Sequence, residues 1–140
     1  MIQVTHDDFS VDNELMRIKK ASVGGLVVFV GTVRDESEAG HVDRLEIEVY
    51  PEMAEKQLTL IRGEALMKFG IDNVLIIHRY GDLKVGDNIV LVAVSAGHRE
   101  EAFNACEYVV NELKKRVPIW KREHTLSGAH WVEAGRPDED

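Results

Sequence analysis

Five of the 17 basic residues in this chain, Lys114, Lys115, Arg116, Lys121 and Arg122, fall within nine positions that contain no acid. The rest of the chain is acidic, with 25 Asp and Glu and a net charge of −8. The basic run is therefore a local anion trap on a negative molecule. It also reads as an ordinary basic helix C-terminus stabilised by the helix dipole, and the cluster alone does not separate the two readings.

A helical wheel divides these cations. At about 100° per residue with Val110 as origin, Phe103, Cys106, Leu113 and Val117 lie within about 60°, and Lys114 is only about 40° away. Lys115 and Arg116 point well off this stripe. Lys114 thus borders the expected core. A lysine held there loses solvation, which lowers its pKa and makes it a candidate proton donor, proton acceptor or nucleophile, especially beside other cations. The plainer alternative is a lysine that lays its methylenes on the stripe and keeps its ammonium in water.

His98 and Arg99 stand just before the same helix, where free backbone N–H groups already favour an anion, so the pair can clamp a phosphate. Arg34 ends Gly31-Thr32-Val33-Arg34, directly after an apolar strand that can aim a loop residue. Each of these is equally readable as a surface charge. His6, His41, His78, His124 and His130 show neither HxxxH nor HxH spacing, so they read as structural or exposed and no metal site is expected. The chain has no serine in GxSxG, no P-loop and no GxGxxG after a strand, which leaves hydrolase triads and nucleotide-binding folds unsupported. Cys106 lies on the apolar stripe and reads as core rather than as a sulfur carrier. Trp120 and Trp131 bracket the C-terminal segment, where they can pack or stack on a flat heterocycle.

These residues need elements to hold them. The spacing predicts a first helix over 11–21, with Val11, Leu15 and Ile18 on one side, and a buried strand over 24–30 ending at Gly31. Leu45, Ile47 and Val49 alternate with Glu46, Glu48 and Tyr50, which predicts a half-exposed strand over 45–50. Pro51 and Gly70 bound a second helix whose stripe is Ala54, Leu58, Ile61 and Ala65. Strands are expected over 73–80 and 88–95, joined by a turn over 81–87 with Gly81 and Gly86 at positive φ. A third helix over 100–117 stops at Pro118. A terminal hairpin over 119–125 and 129–134 turns at Ser127-Gly128. The order favours an α+β fold, a mixed or antiparallel sheet with helices packed on one side.

At 140 residues and 44% hydrophobic, the chain suits one domain over 1–140, with 135–140 as a frayed acidic tail. The negative charge argues against nucleic acid and anionic membranes as partners. A single cysteine, no leader-like N-terminus and no apolar run near the ~20 residues of a membrane span point to a cytoplasmic protein.

Several motifs together resemble the large, catalytic subunit of the molybdopterin synthase family. They are Gly-Thr-Val-Arg at 31–34, Tyr50-Pro51, His78-Arg79-Tyr80-Gly81, Gly-His-Arg at 97–99, Leu-Lys-Lys-Arg-Val-Pro-Ile-Trp-Lys-Arg-Glu at 113–123 and His-Trp-Val-Glu at 130–133. The resemblance runs from about Phe9 to Ala134. It implies an α/β-hammerhead fold and a homodimer within a heterotetramer, each large subunit binding a small ubiquitin-like sulfur carrier. The carrier's C-terminal Gly-Gly thiocarboxylate would deliver sulfur to cyclic pyranopterin monophosphate, forming the dithiolene of molybdopterin.

By position in these motifs, the resemblance implies Lys114 and Lys121 as catalytic residues. It implies Thr32, Val33, Arg34, His98, Arg99, Lys114, Lys121, Arg122 and Glu123 as substrate-binding residues. No cofactor is implied, because the sulfur comes from the partner and molybdenum is inserted later by other proteins. Arg34, His98 and Arg99 would hold the cyclic phosphate, while Lys114 and Lys121 would neutralise the thiocarboxylate and move protons. Some members carry an arginine where Gly135 stands here, the basic residue being Arg136. Two other readings stand beside this one: a non-catalytic docking module for a ubiquitin-like protein, and a phosphate-ester enzyme unrelated to sulfur.

Overall fold

Two sheets sharing one core position the basic segments, as seen in a computed structural model that describes residues 1–132. The first sheet has the order β1(Ile2–Thr5), β5(Asn73–Arg79), β7(Asn88–Ala96), β2(Gly25–Thr32). β1 runs parallel to β5, and the other pairs are antiparallel. The second sheet is β3(Glu36–Ser37), β4(Gly40–Val49), β8(Ile119–Thr125), β9(Gly128–Val132), with β6(Gly81–Lys84) also paired to β4. Helices α1(Val11–Met16), α2(Pro51–Lys68) and α3(Arg99–Arg116) complete the fold.

The central strands are apolar because both of their faces are covered. On one side α2 and α3 bury Ala54, Leu58, Ile61, Ala65, Ala105 and Val109 against Val74, Ile76, Val92 and Val94. On the other, Ile18, Leu15 and Val11 meet Leu75, Ile77, Leu91 and Ala93. The expectation of helices on one side alone is therefore corrected: the α1 segment covers the second face. α1 itself is shorter than expected. It ends at Met16, and Ile18 reaches the core from the turn beyond it.

The Pro51 helix, its four-residue buried stripe and the C-terminal hairpin lie where the sequence places them. Residues 81–84, expected as turn, form β6. Gly81 at φ 103° bends the chain off β5 so that Gly81–Lys84 can pair with Arg44–Ile47. β1 and β3 are also additions. β1, Ile2-Gln3-Val4-Thr5, alternates apolar with polar over only four residues, the shortest run that signals a strand. The expected strand residues 133–134 and the tail with Gly135 and Arg136 lie outside the described residues.

Candidate active site

β8 divides the basic segment between two faces. Lys121 pairs with the buried Ile47 and Glu123 with the buried Leu45, so both half-buried side chains project to the core side of the sheet. Arg122 pairs with Glu46 and projects to the other side. There its guanidinium Nη2 donates to both Glu46 oxygens at 3.0 and 3.2 Å, and His124 Nε2 lies 2.6 Å from Oε1. These partners hold the Glu46 carboxyl below its usual range, Arg122 more than His124.

The rest of the run separates the same way. Arg116 grips Glu64 of α2 with two hydrogen bonds of 2.6 and 2.9 Å, and Tyr108 donates to the same carboxylate at 2.7 Å. The pairing lowers the Glu64 carboxyl to about 2. Lys115 pairs with Glu112 one turn back. Arg116 thus joins two helices and Lys115 supports its own helix, which is the dipole-and-pairing reading for this part of the cluster.

Lys114 sits half-buried on the last turn of α3. The buried stripe of α3 is Ala102, Ala105, Cys106, Val109 and Leu113. It is centred nearer Val109 than Val110, which leaves Phe103 59% exposed and moves Lys114 from the border of the core to its flank. Cys106 is buried, and burial pushes its thiol up to about 11, so little thiolate is present at neutral pH.

Lys121 has a neighbour that the spacing of histidines does not reveal. His78 is fully enclosed at the end of β5, and its Nδ1 lies 2.8 Å from the Arg79 carbonyl oxygen. Burial lowers the imidazole to about 4, and the nearby positive charge of Lys121 pushes in the same direction. Ile47 pairs with both Gly81 and Lys121, so β4 and β6 bring the His78-Arg79-Tyr80-Gly81 corner and β8 together. With Nδ1–H donated to the carbonyl, the neutral ring keeps Nε2 as an acceptor.

The Thr32-Val33-Arg34 segment belongs to the Lys114 end of the molecule. Val33 is buried, donates its N–H to Asp87 O at 3.0 Å and accepts from Gly86 N–H at 2.9 Å, which anchors exposed Thr32 and Arg34 on either side. α3 runs back along β2. Arg99 lies over Gly25, Cys106 reaches the Phe29 backbone, and Leu113 shares a cluster with Val33.

His98 and Arg99 are consequently at the far end. They are exposed at the start of α3, beside Gly24 and Gly97, where a Cβ on Gly24 would collide with the Gly97 carbonyl oxygen. The eight residues of β2 separate them from Arg34, a span of roughly 23 Å at about 3.3 Å per residue. One protomer therefore runs α3 from Gly25 past Phe29 toward the Val33 end of β2, with Lys114 on its last turn, and sets Lys121 beside the His78 corner with Glu123 two residues further along the same face of β8. It holds His98 and Arg99 apart from Arg34 and Lys114.

Among the described residues no group of three or more His, Cys, Asp or Glu is placed to hold a metal ion. No helix there is long and apolar enough to cross a membrane.

Comparison with known proteins shows the family and the fold. Residues 4–116 match the MoaE protein family. The chain is 49% identical over 130 residues to the molybdopterin synthase catalytic subunit of Pyrococcus abyssi, covering 93% of this chain and 88% of the relative. It is similar in structure to molybdopterin synthase from Staphylococcus aureus, with TM-score 0.89, 34% identity, and coverage of 94% of this chain and 96% of that one. A chain from the complex of subunits 1 and 2 of molybdopterin-converting factor from Helicobacter pylori shares the fold, with TM-score 0.77 at 19% identity over 94% of this chain and 90% of that one. On this evidence of sequence and fold, the chain belongs to the MoaE protein family, among relatives named molybdopterin synthase catalytic subunit.

Proposed function

We propose that this chain catalyses sulfur transfer from the C-terminal thiocarboxylate of a small ubiquitin-like carrier subunit to cyclic pyranopterin monophosphate. The observation that carries the reading is Lys121, a half-buried cation on the core side of β8 beside a neutral, enclosed histidine. The Helicobacter pylori relative, which was found in a two-subunit complex, supports a small-subunit partner. The thiocarboxylate sulfur bonds to a side-chain carbon of the pterin precursor as the C–O bond at that carbon breaks, the departing oxygen taking up a proton, and this yields a thioester between carrier and substrate. Water then cleaves the acyl–sulfur bond, leaving sulfur on the substrate and a carboxylate on the carrier, and a second carrier repeats the cycle.

Lys114 and Lys121 neutralise the incoming thiocarboxylate and move the protons of attack and hydrolysis. Thr32, Val33 and Arg34 line the substrate side, and Glu123 shares the face of Lys121. Arg122, held by Glu46 on the opposite face, fixes β8.

The distance between Arg34 and His98 is resolved by a second copy. β2 is an edge strand, and Leu26 to Val30 are only half-buried in the single chain. Two β2 edges paired antiparallel about a two-fold axis place the start of one strand beside the end of the other. His98 and Arg99 of one protomer then face Arg34 and Lys114 of its partner, and together they hold the cyclic phosphate. The residues described here suit a protein acting inside the cytoplasm, since the single cysteine is an enclosed thiol.

The deciding experiment compares intact carrier with carrier lacking its Gly-Gly tail. Sulfur transfer requires the intact thiocarboxylate and produces dithiolene. Equal binding of both forms with no sulfurated pterin would make the chain a docking module instead.

A further inference from the structure

The outward face of the second sheet carries a recess that sulfur transfer does not use. Glu48 and Trp120 are cross-strand partners, Trp131 pairs with Arg122, and Tyr50 follows β4. With Val49, the four side chains Glu48, Tyr50, Trp120 and Trp131 line a cavity of about 280 Å³. Tyr50 is 63%, Trp131 56% and Trp120 42% exposed. Large aromatics gathered on one open face are the composition of a binding anchor, and burying them offsets their exposure to water.

The geometry of the walls selects the ligand. Tyr50 and Trp120 meet edge-on, with centroids 5.5 Å apart and planes at 83°, so they form a corner. A flat heterocycle is held best in a slot between parallel rings. A compact cation is held by rings that converge on it from different directions, with a carboxylate to balance the charge. Glu48 supplies that carboxylate. Arg122 already places its guanidinium carbon 5.2 Å from the centroid of Trp131, so this surface accepts a cation on an aromatic ring. The volume also falls below the roughly 300 Å³ where pockets for drug-sized ligands begin, which favours one long side chain over a fused-ring substrate.

We infer that this recess is an anchor pocket for a single lysine or arginine side chain on the surface of the small carrier subunit. The inference rests on the function proposed above. Trp120 immediately precedes Lys121, so the recess and the reactive lysine lie on opposite faces of the same short stretch of β8. A carrier that seats a cation against Glu48 and sends its anionic tail around the sheet to Lys121 is fixed at two points of opposite charge. Such an arrangement sets orientation as well as affinity.

Titration of the full chain with intact carrier tests the pocket, using wild type, Glu48→Lys, Glu48→Gln and Trp131→Ala. Glu48→Lys and Trp131→Ala should each raise Kd about tenfold and Glu48→Gln about threefold, while the rate of dithiolene formation at saturating carrier stays within about twofold. One Lys→Glu or Arg→Glu change on the carrier surface should restore binding to the Glu48→Lys chain. Wild-type Kd for both Glu48→Lys and Glu48→Gln would overturn the inference even if Trp131→Ala misfolds. A wild-type chain that binds carrier normally and yields no dithiolene would instead sink the function, and the Kd series would still decide the pocket.

Discussion

Lys121 and Arg122 are adjacent in sequence and face opposite sides of β8, Lys121 with the buried Ile47 and Arg122 against Glu46. A charge cluster that looks continuous along the chain is thus two clusters in space. On the function proposed above, the core side carries the chemistry, while on the outer side Arg122 ties β8 to Glu46 of β4.

That division predicts unequal mutants. Lys121→Ala and Lys114→Ala should each slow dithiolene formation about 100-fold or more, the scale of losing a positioned proton-transfer group, with the fold intact by circular dichroism. Arg122→Ala should cost less than about tenfold, because it removes a contact on the other face. Equal losses at Arg122 and Lys121 would contradict the division.

Mixed dimers test the shared pocket. Chains carrying Lys121→Ala and chains carrying Arg99→Ala are each expected to be inactive alone. Mixed at random in equal amounts, they should recover about a quarter of wild-type activity, since half the dimers contain one intact pocket of two. No recovery after verified subunit exchange would place His98 and Arg99 outside the pocket of the partner.

Much of this frame is legible in the sequence, and the reasons are physical. The Pro51 helix announces itself by proline at its start and a four-residue stripe, because caps and period act locally. Gly81 and Gly86 take positive φ as their turn context requires. The facing of Lys121 also follows from the alternation over 45–50 once β4 and β8 are paired. That pairing is a long-range fact: neither Leu45–Val49 nor Ile119–Thr125 carries any local sign of the other.

The same limit hides His78. Its sequence neighbours mark a strand, while its relation to Lys121 depends on β6 folding back onto β4. The wheel for α3 errs by the offset between Val110 and Val109 because apolar Phe103 and Val110 count toward the stripe, whereas the small residues Ala102 and Ala105 are what let the helix approach the sheet.

His78 predicts a pH dependence. Its folded pKa is lowered to about 4 from 6.5, so below about pH 6.5 the unfolded chain binds a proton that the folded chain refuses. Stability from this group is complete above pH 6.5 and falls as the pH drops toward 4. His78→Gln should flatten denaturation midpoints over that window, and NMR titration should find the native imidazole neutral at pH 5.5.

Glu64 acts at lower pH. Its folded pKa of about 2 lies below the ordinary 4.5, so its contribution is present above pH 4.5 and is lost as acid approaches pH 2. Glu64→Gln should lower the melting temperature at pH 7 and bring little further change between pH 4.5 and 2. A melting temperature unchanged at pH 7 would show that the link between α2 and α3 is not holding the helices.

Gly24→Ala tests the placement of His98 and Arg99. The new Cβ collides with the Gly97 backbone, so the Gly97 turn must move, and overpacking of this kind costs about 1–3 kcal/mol. Activity should fall together with stability, whereas Gly63→Ala, which meets open space within α2, should retain activity and gain up to about 1 kcal/mol.

The central claim is tested most directly by mixing the purified chain with thiocarboxylated carrier and cyclic pyranopterin monophosphate and following the dithiolene by mass. The expected result is two sulfurs gained per pterin at the expense of two thiocarboxylates, abolished in the Lys121→Ala chain. Carrier that stays thiocarboxylated, or product formed equally well without Lys121, would contradict it.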